Sequence, residues 1–222
     1  MLFRSYKNLV SPCIYKSEFI KIVGNNYLDI IHLQEITNKT CFNERYSNRA
    51  IRDKKNLVVA GTYGMNDIDR DLFDFYIRFA SSNDNYFIIY VPRYWQNWYD
   101  VMLPANFAIE KKFSIYQCMQ NADVTSSMFS TASLESLALG KPVLLVSPNK
   151  QFKTIYDDYL TSDTTMRVCN INDSLSDISA ILDELFQISK EKIIAEGNGY
   201  YAQGHMELLR TAVQELKEQK TN

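Results

Sequence analysis

The apolar positions of this chain change period along its length. From about residue 54 onward, short apolar runs alternate with stretches whose apolar positions recur every three or four residues. "NLVVAGTYG" (56–64), "YFIIYV" (86–91), "PVLLVSP" (142–148) and "MRVCNI" (166–171) are short apolar runs, several closed by glycine or proline. That is the pattern of strands buried on both faces. Between them, "DIDRDLFDFYIRFASS" carries Ile68, Leu72, Phe75 and Phe79 at helical spacing, with acids in its first turn where the helix dipole favours them. "SIYQCMQNA" predicts a short helix capped by Ser114, and "STASLESLALG" a helix that ends at Gly140. "QFKTIYDDYL" predicts another helix, "DVTSS" a short strand and "FAIEKKF" a further strand. Residues 173–190 and 200–219 read as long amphipathic helices separated by "EGNGYY".

Ahead of this region the pattern is weaker. "KSEFIKIVG" reads as a short strand and "NYLDIIHLQEITN" as a helix; residues 38–54 form a polar linker with a helical turn. Later in the chain, after "YFIIYV", "RYWQNWYDVML" (93–103) reads as a short helix or an ordered loop. Alternating strands and helices predict an α/β fold, a Rossmann-like, doubly wound, mostly parallel sheet over residues 54–222. Residues 1–53 form the segment and linker before it. Such sheets bind ligands outside the carboxyl ends of their strands, which here are the loops after Ala60, Val91, Val124 and Val146.

Composition narrows the function. The chain has 222 residues, a formal net charge of −2 and 46% hydrophobic residues. No basic face marks a nucleic-acid or membrane-surface partner, and no run approaches the roughly 18–20 apolar residues of a membrane span. The N-terminus lacks the apolar core of a signal peptide, so the expectation is a soluble, cytoplasmic protein. Cys13, Cys41, Cys118 and Cys169 are scattered and read as free thiols. His32 and His205 have no ligand partner at metal spacing, so no metal is expected. The fifteen tyrosines are read as ordinary strand and interface residues.

The chemistry concentrates in "ADVTSSMFSTASLESLALGKPVLLV" (122–146), with seven hydroxyl residues between Thr125 and Ser136. A strand that hands over to a helix through such a loop offers a capping hydroxyl, free backbone N–H groups and the positive end of a helix dipole, and a phosphate gains from all three. A capped helix start with a solvated Glu135 accounts for the same residues. Neither a Walker lysine nor GxGxxG is present, which disfavours a triphosphatase or an ordinary dinucleotide enzyme.

This stretch resembles the nucleotide-sugar motif in the C-terminal domain of GT-B glycosyltransferases, most closely the bacterial capsule and lipooligosaccharide group with sialyltransferase-like and polysialyltransferase-like enzymes. UDP-N-acetylglucosamine 2-epimerase and CDP-glycerol glycerophosphotransferases carry related segments. "FIKIVGNNYLD" resembles the segment that links the two halves of such enzymes, and "GNGYYAQGHMELLRTAV" a helix near their end. The resemblance spans about residues 18–215 and implies a phosphate-binding loop at Ser126, Ser127, Ser130 and Thr131. It implies a ribose-binding role for Glu135, and a cleft lined by Gly61, Thr62, Tyr63, Pro92, Arg93 and Tyr94.

Two departures qualify it. "YFIIYVPRYW" carries Val91 where the sialyltransferase-like families have the histidine of a His-Pro motif, so the histidine's nucleotide contact is lost unless Arg93 or Tyr94 replaces it. Two complete Rossmann-like domains need about 300–400 residues, so a half carrying the acceptor site and catalytic base is expected to be missing. Asp157-Asp158 reads as a solvated helical pair, and no catalytic residue is named. The expectation is a glycosyltransferase, or its donor-binding half, that takes a nucleotide sugar without any cofactor. A partner chain or a second copy would supply the acceptor half. The alternatives are a non-catalytic binding or assembly module and an epimerase-like enzyme acting on a UDP sugar.

Overall fold

The computed structural model describes residues 42, 44–46, 53–61, 66–92, 101–128, 130–149, 165–200 and 211. In chain order the elements are β1 (Lys55–Ala60), α1 (Asn66–Ser82), β2 (Tyr86–Val91), β3 (Phe107–Ile109), α2 (Ile115–Gln120), β4 (Val124–Ser127), α3 (Thr131–Ala138), β5 (Val143–Ser147), β6 (Met166–Asn170), α4 (Leu175–Phe186) and α5 (Lys190–Tyr200). Residues 42 and 44–46 are helical as well.

The six strands form one sheet in the order β3-β2-β1-β4-β5-β6, and every pairing is parallel. The order reverses between β1 and β4, where Leu57 lies beside Val124 and Val59 beside Ser126. That reversal is the switch point at which doubly wound sheets open a crevice.

Both faces of the sheet are covered, which is why the strands read as continuous apolar runs. Side chains alternate across a strand, so Leu57 and Val59 join one core and Val58 the other. The first core packs α1 and α4 on the sheet. Phe73, Phe75, Tyr76 and Phe79 meet Ile88, Tyr90, Leu144 and Val146, with Ile178, Leu182 and Leu185 closing the far side. Phe73 sits edge-on to Tyr90 and to Phe107, with centroids 5.0 and 5.7 Å apart. On the opposite face Phe42 and Tyr46 pack with Val58, Phe87, Ile89, Ala108 and Cys118, and Leu137 and Ile193 pack with Val143, Leu145 and Met166.

One buried amide fastens the edge of the sheet. Asn106 Nδ2 donates to the carbonyls of Ala80, Asn83 and Tyr86 at 2.9, 3.0 and 3.0 Å. The end of α1 and the start of β2 are thereby held against the approach to β3. Cys118 and Cys169 are free and buried; burial pushes the Cys118 thiol up to about 12 and the Cys169 thiol up as well.

The expected strand at "KSEFIKIVG" and the helices at "NYLDIIHLQEITN" and "QFKTIYDDYL" lie outside the described residues. The first five residues of "EGNGYY" are helical, and the expected helix over 200–219 lies, apart from residues 200 and 211, outside the described residues. Residues Lys190–Tyr200 form one helix that contains both glycines of that stretch, and the reason is steric. A Cβ on Gly197 would stand 2.4 Å from the Leu137 carbonyl carbon and from the Ala138 nitrogen. The glycine therefore lets α5 lie directly on the backbone of α3. "FAIEKKF" is a strand only over Phe107–Ile109, because Glu110 turns the chain toward α2.

Among the described residues, no helix is long and apolar enough to cross a membrane.

Candidate nucleotide cleft

A cleft of about 290 Å³ opens at the carboxyl ends of β1, β2 and β3, beside the N-termini of α2 and α3. Ala60 and Gly61 line it from β1, Val91 and Pro92 from β2, and Glu110, Lys111 and Phe113 from the turn after β3. Ser114 and Ile115 contribute from the start of α2, and Ser130 and Ala132 from the start of α3. The cleft lies across the strand-order reversal.

The β4–α3 wall carries the hydroxyl cluster. Residue alternation along β4 divides it between the two faces of the sheet. Ser126 points toward α1: Tyr76 Oη lies 2.7 Å from its Oγ, which also donates to the Leu144 carbonyl at 2.8 Å. Thr125 and Ser127 point toward α3, where Thr125 Oγ1 meets Ser136 Oγ at 2.5 Å and Ser127 Oγ meets Ser133 Oγ at 2.6 Å. All six of these hydroxyl residues, Tyr76 included, are buried. A buried hydroxyl must be bonded, and the pairs satisfy one another while joining strand to helix.

Ser130 is placed differently. It is half-buried on the cleft wall, with extended backbone at φ −148° and ψ 141°, and its Oγ accepts from Ala132 N–H at 3.2 Å as the N-cap of α3. Thr131 is exposed at the first helical position. Glu135 is buried one turn further in. The helix closes at Gly140, whose φ of 72° is left-handed. Gly140 N–H donates to Leu137 O at 2.9 Å and Lys141 N–H to Ser136 O at 3.0 Å. This paired bonding satisfies carbonyls at the helix end and favours glycine at its left-handed position. Lys141 Nζ then reaches Ala122 O at 2.7 Å and ties the corner to the entry of β4.

Of the four expected phosphate residues, Ser130 and Thr131 stand at the mouth of α3. Ser126 and Ser127 have their hydroxyls committed to Tyr76, Leu144 and Ser133. Of the expected lining residues, Gly61 and Pro92 are at the cleft with Val91. Thr62, Tyr63, Arg93 and Tyr94 lie outside the described residues.

The opposite wall contains a residue that the sequence pattern did not single out. Glu110 has no exposed surface, and its carboxylate accepts four hydrogen bonds. Lys112 N–H and Phe113 N–H reach Oε1 at 2.6 and 3.1 Å, and Arg45 Nε and Tyr46 Oη reach Oε2 at 2.6 and 2.5 Å. Burial pushes the Glu110 carboxyl up, but bonds from Tyr46, from the Lys112 and Phe113 N–H groups and from Arg45 more than offset that push and hold it below its ordinary value. It is therefore ionised at neutral pH. The same cluster raises the Tyr46 phenol, chiefly by burial and then by the bond to Glu110. The helix that follows, α2, starts with a capping box in which Gln117 N–H donates to Ser114 Oγ and Ser114 N–H donates to Gln117 Oε1.

With this geometry in view, no family model matches the chain, and no curated protein matches it in sequence. Solved structures do. The wall teichoic acid polymerase TagF superposes with a TM-score of 0.61 at 14% identity, over 100% of this chain and 58% of its own. UDP-GlcNAc 2-epimerase from Neisseria meningitidis, bound to UDP-GlcNAc, superposes at 0.60 and 14% identity, over 96% of this chain and 59% of its own. The glycotransferase of kitacinnamycin follows at 0.57 and 12%, over 74% of this chain and 43% of its own. The fold is that of one GT-B half. The chain spans about half the length of these relatives in structure.

Proposed function

We propose that this chain is the donor-binding half of a glycosyltransferase, taking a nucleotide sugar for the synthesis of a surface polysaccharide. One observation carries the reading: the capped N-terminus of α3 and the carboxyl ends of β1 and β2 open into one cleft at the switch point of a parallel sheet. A phosphate at the mouth of α3 gains the positive end of the helix dipole and the backbone N–H groups that point out of the helix start, with the Ser130 and Thr131 hydroxyls beside it. Ser126 and Ser127 shape that loop from within. Glu135, one turn along the same helix, is assigned to the ribose hydroxyls. Transfer would be helped by stabilising the departing phosphate, since preorganised N–H donors act most strongly in an enclosed site. The acceptor and the catalytic base are assigned to a second half, carried by a partner chain, a second copy or the rest of a longer protein.

Structural likeness to TagF, a polymerase of a wall polymer, supports the surface-polysaccharide part. The sialyltransferase-like assignment rests on the "TSSMFSTASLE" resemblance alone.

Val91 favours a second reading. It lines the cleft at the end of β2, where the resembling families have a histidine, so the module could bind nucleotide without catalysing transfer.

Thermal denaturation with CMP, CDP, UDP and UDP sugars tests the binding common to both. A ligand at 100 times its Kd adds about 2.7 kcal/mol, and a melt that no nucleotide moves rejects the donor site. Glu135→Ala with unchanged affinity rejects the ribose assignment. Sugar transfer from a bound donor, with or without a second protein, separates the enzyme from the binding module.

A further inference from the structure

Glu110 brings together two pieces of chain that are 64 and 65 residues apart. Its backbone continues the sheet through an N–H bond to Tyr90 O at 2.8 Å, so the residue is anchored before its side chain acts. The carboxylate then folds back over its own turn and takes the N–H groups two and three residues on. Its other oxygen holds Arg45 and Tyr46. The Phe42 ring and the Arg45 guanidinium complete the joint. Phe42 lies 6.5 Å from Phe113, and the Arg45 guanidinium lies 5.9 Å from the Phe113 centroid.

Packing alone does not call for this arrangement. An apolar side chain of similar size could fill the space, since a buried charge seldom stabilises more than a well-packed hydrophobe. What the carboxylate adds is orientation. Two backbone amides and two side chains are aimed at one point, and the turn they fix, with Glu110, Lys111 and Phe113, forms a wall of the cleft.

We propose that Glu110 is a positioning residue for the cleft, holding the β3–α2 turn against Arg45 and Tyr46 in the geometry that receives a nucleotide. The role rests on the nucleotide reading above. Glu110 touches no ligand itself, because its oxygens are occupied by its own turn and by Arg45 and Tyr46. It acts through the wall that they form.

The test is calorimetric titration of CMP, CDP and UDP into the full chain and its Glu110→Gln and Glu110→Asp variants. Each is measured well below its melting temperature, with circular dichroism confirming the fold. A residue needed only for stability lowers the melt and leaves the Kd of the folded chain unchanged. A positioning residue weakens binding in the folded chain. Glu110→Gln is expected to raise the Kd roughly tenfold, the size of losing charge-assisted bonds, and Glu110→Asp to recover part of that. If the unaltered chain binds a nucleotide and Glu110→Gln binds it equally well, the positioning role is overturned and the nucleotide reading stands. If the unaltered chain binds none of the three, both fall together. Should Glu110→Gln fail to fold, Tyr46→Phe decides, since it keeps the ring and removes one donor to Oε2. A weaker Kd with Tyr46→Phe supports the proposal, and an unchanged one overturns it.

Discussion

The β4–α3 unit and the β3–α2 unit are both a parallel strand, a turn and a helix, and both face one cleft, yet they satisfy their polar groups by opposite means. Along β4 the bonds are neutral and spread over several partners: Thr125 with Ser136, Ser127 with Ser133, Ser126 with Tyr76 and the Leu144 carbonyl. After β3 a single ionised carboxylate gathers four donors. Distributed pairing tolerates the loss of any one member. Convergence on one group does not, because removing it takes the acceptor from four donors at once. The comparison teaches that the number of polar residues in a loop is a poor guide to how much depends on any one of them.

The largest effect should follow from Glu110→Ala. It leaves two backbone N–H groups and the buried Tyr46 hydroxyl without their acceptor, while the half-exposed Arg45 can turn to water. With three stranded donors costing roughly 1–3 kcal/mol each, the loss should be at least about 3 kcal/mol, read as a lower urea midpoint. Its pH dependence has a definite sign. The folded-state value of Glu110 is depressed from its ordinary 4.5, so its charge contributes stability that is fully present above that value. That contribution is lost as pH falls through the lower folded-state value. The gap between the unaltered chain and Glu110→Gln should therefore be constant near neutrality and shrink only in acid. A gap that already closes on moving from neutral pH to pH 5 would contradict the depressed carboxyl.

Gly197→Ala comes next and acts on the other unit. Its new Cβ would meet Leu137 and Ala138 backbone at 2.4 Å, and backbone cannot swing aside as a side chain can. Overpacking costs up to about 3 kcal/mol, and replacing glycine inside a helix returns about 1 kcal/mol. The net loss should be about 2 kcal/mol in the same urea measurement. Unchanged stability would mean that α5 does not press on α3.

A double-mutant cycle on Thr125→Val and Ser136→Ala measures the distributed side directly. Each single change leaves one buried hydroxyl short of a partner and should cost about 1 kcal/mol. The two together should cost less than their sum, by about 1 kcal/mol of coupling. Strict additivity would show that the 2.5 Å pair contributes no bond worth counting.

The same contrast explains what was legible in the chain. Strands buried on both faces advertise themselves as apolar runs, so β1, β2 and β5 could be read directly, the half-buried edge strand β6 followed from its shorter apolar pattern, and the hydroxyl-rich start with Gly140 marked both ends of α3. Hydroxyls crowded into twelve positions were equally visible, but their division between the α1 and α3 faces follows from strand geometry and burial, which residue type alone does not carry. Glu110 gave only a faint local signal, an acid at the end of a short apolar run beside two lysines, because its decisive partners Arg45 and Tyr46 are far away in sequence. Gly197 was misread for a related reason. A glycine in a helical stretch signals a break when only its neighbours are considered, whereas here the reason for it lies on α3.

The smallest effect on stability carries the sharpest functional question. Ser130 both caps α3 and stands on the cleft wall, so Ser130→Ala would confound a lost cap, worth about 1 kcal/mol, with a lost ligand contact. Ser130→Gly separates them. Glycine is tolerated at an N-cap at a cost of only a few tenths of a kcal/mol, so the helix start and its free N–H groups should persist while the hydroxyl disappears. The melting temperature should hardly change. If the hydroxyl reaches phosphate, the Kd for CDP or UDP should rise by roughly three- to tenfold, the size of one ordinary hydrogen bond. An unchanged Kd would leave the phosphate to the backbone N–H groups and the dipole, and the whole hydroxyl cluster would then be a device for fastening β4 to its neighbours.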